Sequence, residues 1–136
     1  MVVKKKKNVK KTMPRKTVKK TSKAQRFQLN LIALTNFNSC DGVKIAKLLK
    51  ENREMWRSAF MPLKSYSLRD MEKNEWHADT LYIYAEDSFQ HALEKLAREQ
   101  FDADEISWVG GAEAIIMLGT PTVREKNHVI LSVWWD

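Results

Sequence analysis

The segment that most constrains this chain is its first 26 residues, which carry twelve lysines or arginines and no acidic residue. Like charges at this density repel one another, and the few apolar residues among them form no stripe, so burial cannot offset the entropy of ordering. We therefore predict a disordered Lys-rich tail over residues 1–26. The other 110 residues carry twelve basic and seventeen acidic residues, so the predicted domain over residues 27–136 has a formal charge of −5 beside a tail of +12.

A flexible polycation is typical of segments that bind nucleic-acid phosphates by releasing condensed counterions. Binding through the tail alone is expected to be salt-dependent and sequence-blind, with a Kd of about 10⁻⁴–10⁻⁶ M at physiological salt. We predict that the basic side chains of the tail bind nucleic acid non-specifically: Lys4, Lys5, Lys6, Lys7, Lys10, Lys11, Arg15, Lys16, Lys19, Lys20, Lys23 and Arg26.

The charge of the tail also fits other interpretations, including a solubilising tail or one that folds back on the acidic domain. The run from Lys4 to Lys7, with the later basic clusters, is also typical of a nuclear localisation signal, which predicts an intracellular protein that is nuclear if the host is a eukaryote or its virus. A basic segment is also attracted to anionic lipid, but Val2 excludes N-myristoylation. Since no apolar stretch approaches the ~20 residues of a membrane span, we predict no membrane partner.

The length and the motifs of residues 27–136 limit the kind of domain that they can form. Its 110 residues suffice for one domain and are too few for two. The single cysteine, Cys40, excludes an intramolecular disulfide and fits a reducing compartment. Gly110-Gly111 lacks the spacing of a P-loop or a dinucleotide fingerprint, so we predict no cofactor.

Hydrophobic patterning in the first half of the domain predicts a strand followed by a helix. Apolar residues alternate from Phe27 to Ala33, which indicates a strand. Apolar residues then recur at helical spacing between residues 43 and 60, with a break at Asn52. Tyr66 and Leu68 indicate a weak second strand.

The second half predicts one helix among four strands. Residues 81–85 alternate as a strand, residues 87–97 form a helix, and residues 106–109 and 112–118 form a hairpin around Gly110-Gly111. A last strand follows over residues 128–135. This order favours a single small α+β domain with a mainly antiparallel sheet and two helices on one face, in a ferredoxin-like or related arrangement.

Four aromatic residues are predicted stacking or interface residues. Tyr82 and Tyr84 share the strand face opposite Leu81 and Ile83, so helices on the Leu/Ile face leave the tyrosines outward, where bases stack in single-strand-binding domains. An open sheet face or a dimer contact explains the same pattern. Trp134 and Trp135 point to opposite faces of the last strand, so the outward one is a second interface candidate.

The polar segment around Trp76 carries the nearest approach to a catalytic or metal pattern. Glu75, His77 and Asp79 alternate, which resembles an acid–base or metal-ligating set in an extended segment. A solvated connector explains the same residues, and further ligands cannot be placed from the sequence. We assign no catalytic residue and no metal.

Three hypotheses for function follow. The first is a non-enzymatic nucleic-acid-associated protein, whose tail binds phosphates and whose acidic domain forms a homodimer or contacts a protein partner. The second is a protein-interaction module, such as an inhibitor or accessory subunit, whose tail directs nuclear entry. The third is a small hydrolase or nuclease that uses His77, Asp79 or His128.

Overall fold

The structure of the protein is a computed structural model that describes residues 20–65, 67–119 and 127–136. Residues 1–19, which hold nine of the twelve basic residues of the predicted tail, lie outside the described residues, as do Tyr66 and residues 120–126. The elements are helices α1 (Lys23–Leu34), α2 (Gly42–Glu51), α3 (Leu68–Glu72), α4 (Gln90–Gln100) and α5 (Gly111–Leu118), and strands β1 (Ser58–Phe60), β2 (Thr80–Glu86), β3 (Glu105–Val109) and β4 (His128–Trp134).

The four strands form one sheet in the order β1-β2-β4-β3, and all three neighbouring pairs are antiparallel. The central pair places Leu81 opposite Val133 and Ile83 opposite Leu131, and all four side chains are fully buried. The chain passes from β2 through α4 to β3, with β4 lying between those two strands. The predicted α+β class with a mainly antiparallel sheet is confirmed.

The prediction of a strand over residues 27–33 was wrong, because this segment lies within α1. The Ser22 side chain caps the helix by accepting a hydrogen bond from the Gln25 amide, 3.1 Å away. The buried residues of α1 are Gln25, Leu29 and Ile32, which are four and three positions apart. Helical burial spacing therefore prevails over the alternation, and it leaves Phe27 at the surface.

Residues 23–26, the last four of the predicted tail, form the first turn of α1. Gln25, assigned to the tail from its sequence context, is buried against the outer edge of β1. Its amide donates to the Ala59 carbonyl at 2.8 Å and accepts from the Ala59 N–H at 2.9 Å. The side chain thus occupies the place of a neighbouring strand and satisfies both polar groups of that edge residue.

The helix predicted over residues 43–60 forms only in its first part, as α2. The break at Asn52 is confirmed: α2 ends at Glu51, and a 3-10 turn at Arg53–Met55 leads into β1. The Asn52 side chain donates to the Leu48 carbonyl at 2.8 Å and so caps the last turn. Residues 58–60 extend because β1 pairs with β2 along the register Ala59 to Ile83.

The predicted hairpin at Gly110-Gly111 was also wrong. Gly110 is extended and Gly111 has a φ of +60°, and α5 begins there instead of a returning strand. Residues 112–118 are rich in good helix formers, and Gly119 ends the helix in the left-handed region at φ +68°. Instead, β3 pairs with β4. The strand predicted over residues 128–135 is confirmed as β4.

Candidate nucleic-acid interface

A basic groove lies between α1 and α2. It has a volume of about 290 Å³ and is lined by Lys23, Arg26, Phe27, Leu29, Asn30 and Lys50, with no acidic side chain. Four of these six, Lys23, Arg26, Phe27 and Asn30, stand at i, i+3, i+4 and i+7 of α1, so they share one face of the helix. The lining residue Leu29 is buried in the core.

The positive charge of the N-terminal segment continues through this helical pair. Residues 20–52 contain six basic and two acidic residues, whereas residues 53–136 contain nine basic and fifteen acidic ones. One of the two acids, Glu51, lies 3.8 Å from Lys47 in an exposed pair. The charge boundary of the chain therefore falls after α2, and the folded domain itself is electrically asymmetric.

The first turn of α1 breaks a local rule for helix stability. It contains no acidic residue, and it begins with Lys23. Unpaired N–H groups give a helix N-terminus partial positive charge, so a cation there is unfavourable by about 0.3–1 kcal/mol. Residues that oppose local stability are concentrated at functional sites, and here the dipole and the two cations at positions 23 and 26 all favour an anion.

Contacts of Arg53 connect the segment before α1 to the segment after α2. The Arg53 guanidinium is buried, donates to the Thr21 hydroxyl at 3.2 Å and to the Trp56 and Arg57 carbonyls, and lies 4.0 Å from the centroid of the Trp56 ring. Burial lowers the pKa of this guanidinium from its usual value. Because Thr21 precedes α1 and Arg53 follows α2, this contact ties the start of α1 to the end of α2.

Three of the twelve predicted nucleic-acid-binding residues lie in the described part of the chain. Lys23 and Arg26 line the groove, and the exposed Lys20 precedes it. The other nine lie outside the described residues. Phe27 and Asn30 were not predicted as groove residues, because their segment was interpreted as a strand; the signal for them was helical spacing from Lys23 and Arg26. Lys50 was not predicted because it joins the groove only through the packing of α2 on α1.

Tyr82 and Tyr84 lie on the sheet face opposite Leu81 and Ile83 and are half-buried. The Tyr84 ring stacks on His128 at a centroid distance of 5.1 Å, and the Arg57 guanidinium lies 5.4 Å from the Tyr84 centroid. A shallow cavity joins both tyrosines to Met117 and Leu118 of α5. The sheet face that carries Tyr84 is thus already in contact with His128 and Arg57.

The two C-terminal tryptophans differ as their strand positions require. Trp135 is fully buried and donates its indole N–H to the Phe101 carbonyl at 2.9 Å. Trp134 is half-buried, pairs with Thr80 and Glu105 across the sheet, and belongs to the same face as the tyrosines.

The polar segment brings Glu75 and His77 together, but with Asp70 rather than Asp79. The ligand atoms of Asp70, Glu75 and His77 lie within 4.8 Å of one another, and the His77–Glu75 distance is 3.1 Å. Glu75 and His77 are exposed to solvent. Solvated carboxylates and an imidazole form such clusters without an ion, so this geometry assigns no metal.

Asp79 and His128 have other partners. Burial alone would raise the pKa of Asp79, but hydrogen bonds from Thr80, Lys64 and Trp134 and the Lys64 charge lower its pKa overall. His128 contacts Arg57 and Tyr84. His77, Asp79 and His128, the residues of the hydrolase hypothesis, thus have different contact partners.

No protein-family model, curated protein or solved structure matches this chain. Among the described residues, no helix has the length and apolar character that a membrane crossing requires.

Proposed function

We propose that this protein binds nucleic acid without acting on it chemically. Basic residues of the N-terminal segment and of the α1–α2 groove contact the phosphates. The observation that carries the proposal is the acid-free groove, which continues the positive charge of residues 1–26 onto a folded surface. Nine basic residues precede Lys20, and 19 extended residues reach at most about 60–70 Å, so they can follow the same polymer beyond the groove.

The division of charge explains how such a protein stays on one side of its polymer. The basic part ends with α2, while residues 53–136 carry a net formal charge of −6. Like-charge repulsion keeps this acidic part away from the phosphates, so the polymer contacts the α1–α2 side. The acidic part then remains free for a homodimer or a protein partner.

Fluorescence anisotropy with a labelled oligonucleotide tests the proposal across a series of salt concentrations. The full chain should bind with an affinity that falls steeply with salt, since each neutralised phosphate adds about −0.7 to −0.9 to the log–log slope. Replacing Lys23, Arg26 and Lys50 together by glutamine should make the slope shallower by about two to three.

A matched control removes three exposed basic residues outside the groove. Replacing Lys73, Lys95 and Arg98 by glutamine changes the net charge of the chain equally and should leave the slope within about 0.5 of the parent value. Equal losses in the two triple variants would show that net charge alone matters, and the groove would lose its assigned role.

A shortened chain separates the two basic parts. It should begin at Lys20, because a chain that begins at Phe27 lacks the Ser22 cap and Gln25. It should keep weak binding with a slope of about −2 to −3, from the three groove cations. No binding of the full chain at about 50 mM salt would instead favour the interaction-module hypothesis, in which the basic segment serves nuclear entry.

Contacts through the acidic part are the second element of the proposal. Phe60 on the tyrosine face and Ile116 on α5 are large apolar side chains that are 52% and 78% exposed. Such residues support a contact with a second copy or a protein partner. Sedimentation of the full chain tests self-association: a dimer that Ile116→Lys converts to a monomer supports it, and a monomer at all concentrations leaves only a different protein as the partner.

For the fold, we propose a relative of the ferredoxin-like arrangement. The support is the β2–α4–β3 unit, whose two strands flank the antiparallel β4, since split units of this kind build that arrangement.

A further inference from the structure

The groove contains an aromatic side chain that the fold does not use. Phe27 is 59% exposed, although α1 has a buried face of Gln25, Leu29 and Ile32 on which the helix packs. A phenylalanine at this exposure gains little from burial, and here it shares the groove with three cations and an amide. The Lys23 ammonium lies 5.9 Å from the centroid of the Phe27 ring, within cation–π range.

These residues supply the two contacts that an unpaired nucleotide needs. The Phe27 ring is a surface on which a base can stack, and Lys23, Arg26 and Lys50 line the same groove, where they can bind the flanking phosphates. Asn30, one turn further along α1, presents an amide that both donates and accepts hydrogen bonds. The groove has no carboxylate to repel the backbone.

We infer that the α1–α2 groove selects single-stranded nucleic acid by stacking one unpaired base on Phe27. In a duplex the bases are already stacked on one another, so the ring has access only to backbone and groove edges. The charge of the groove fits both forms, whereas the aromatic ring distinguishes them. This inference rests on the proposed function, and it adds the class of polymer that the folded surface prefers.

The test compares the full chain with Phe27→Ala, Phe27→Leu and Phe27→Trp on a labelled single strand and on its duplex. Phe27→Ala should weaken single-strand binding by about 5- to 150-fold, the range measured for removal of one stacking residue, and change duplex binding less than twofold. Phe27→Trp should retain single-strand affinity. Phe27→Leu keeps a large apolar side chain and loses the aromatic face, so it should behave like the alanine variant.

Leu68→Ala is the matched control, because Leu68 is an exposed apolar residue at 81% and lies on α3, outside the groove lining. It should change neither affinity. Since Phe27 is exposed, its variants are expected to fold, and circular dichroism with the unfolding midpoint checks this before binding is compared.

Different outcomes overturn different claims. Equal affinity of the parent for single strand and duplex, or equal losses on both in Phe27→Ala, overturns the single-strand inference while salt-dependent binding keeps the proposed function. Parent-like binding of the single strand by Phe27→Leu shows that an apolar side chain suffices without an aromatic face, and it also overturns the inference. No binding of the parent to either polymer overturns the proposed function itself.

Discussion

Replacing Gln25 by alanine should destabilise the domain far more than its position next to a Lys-rich segment suggests. The Gln25 amide forms two buried hydrogen bonds with the Ala59 backbone, at 2.8 and 2.9 Å. In the alanine variant the N–H and C=O of Ala59 lose these partners, and each unsatisfied buried group costs about 1–3 kcal/mol. We expect the free energy of unfolding to fall by about 3 kcal/mol.

Urea denaturation followed by tryptophan fluorescence measures this loss, because Trp56 and Trp135 are fully buried and report on the core. With a slope of about 1–3 kcal/mol per molar urea, the midpoint should fall by about 1–3 M. Two other glutamines calibrate the result. Gln28 accepts a single hydrogen bond from the Met61 N–H at 3.1 Å, so Gln28→Ala should cost about 1 kcal/mol.

Gln100 is exposed at the end of α4, so Gln100→Ala should change the stability by less than about 0.5 kcal/mol, and it also controls for the higher helix propensity of alanine. The reasoning is refuted if Gln25→Ala unfolds at the same urea concentration as Gln100→Ala. Such a result would mean that water or a small shift of β1 satisfies the Ala59 backbone and that α1 does not hold the edge of the sheet.

Three further predictions concern the core. Burial first, and the nearby Asp41 charge second, raise the pKa of Cys40 to about 12. Because the folded protein keeps this thiol protonated, its contribution to the free energy of unfolding should be complete below about pH 9 and should decline above it by up to about 1.4 kcal/mol per pH unit. Denaturation at a series of pH values should show this decline in the parent and not in Cys40→Ala. The folded protein should also react slowly with thiol-specific reagents. Gly42→Ala should cost at least about 2 kcal/mol in the same urea assay, because the new Cβ would lie 2.0 Å from the Ile32 carbonyl oxygen and 2.3 Å from that of Thr35. Trp135→Phe should cost about 2–3 kcal/mol, since it leaves the Phe101 carbonyl unpaired and a gap in the core; a loss below 0.5 kcal/mol would contradict this packing.

Sequence patterns predicted best the elements whose burial is decided locally. Alternation predicted the strand of residues 81–85, the capping residue Asn52 predicted the end of α2, and a run of β-branched residues predicted the last strand. Each of these local signals agrees with the final packing. The segment from Phe27 to Ala33 was assigned to the wrong element, because its alternating apolar residues fit a strand as well as a helix. What decides for a helix is the Ser22 cap and the distant edge of β1, which only the folded chain brings to Gln25.

The hairpin error has a similar cause. Gly110-Gly111 fits a tight turn, but a hairpin needs a returning strand, and β4 comes from further along the chain to pair with β3. The groove was only half predictable. Its charge is visible in the composition, whereas the contribution of Lys50 and the exposure of Phe27 depend on how α1 and α2 pack together.

Nuclear magnetic resonance can show, residue by residue, whether nucleic acid contacts the α1–α2 side of the folded domain. The full chain, labelled with nitrogen-15, is titrated with a short single strand at low salt, and amide shift changes are assigned along the chain. We predict that the largest changes within the folded domain fall on α1 and on the end of α2, including Phe27, Asn30 and Lys50. Changes confined to the sheet face of Tyr82 and Tyr84, or to the acidic elements beyond residue 52, would contradict it.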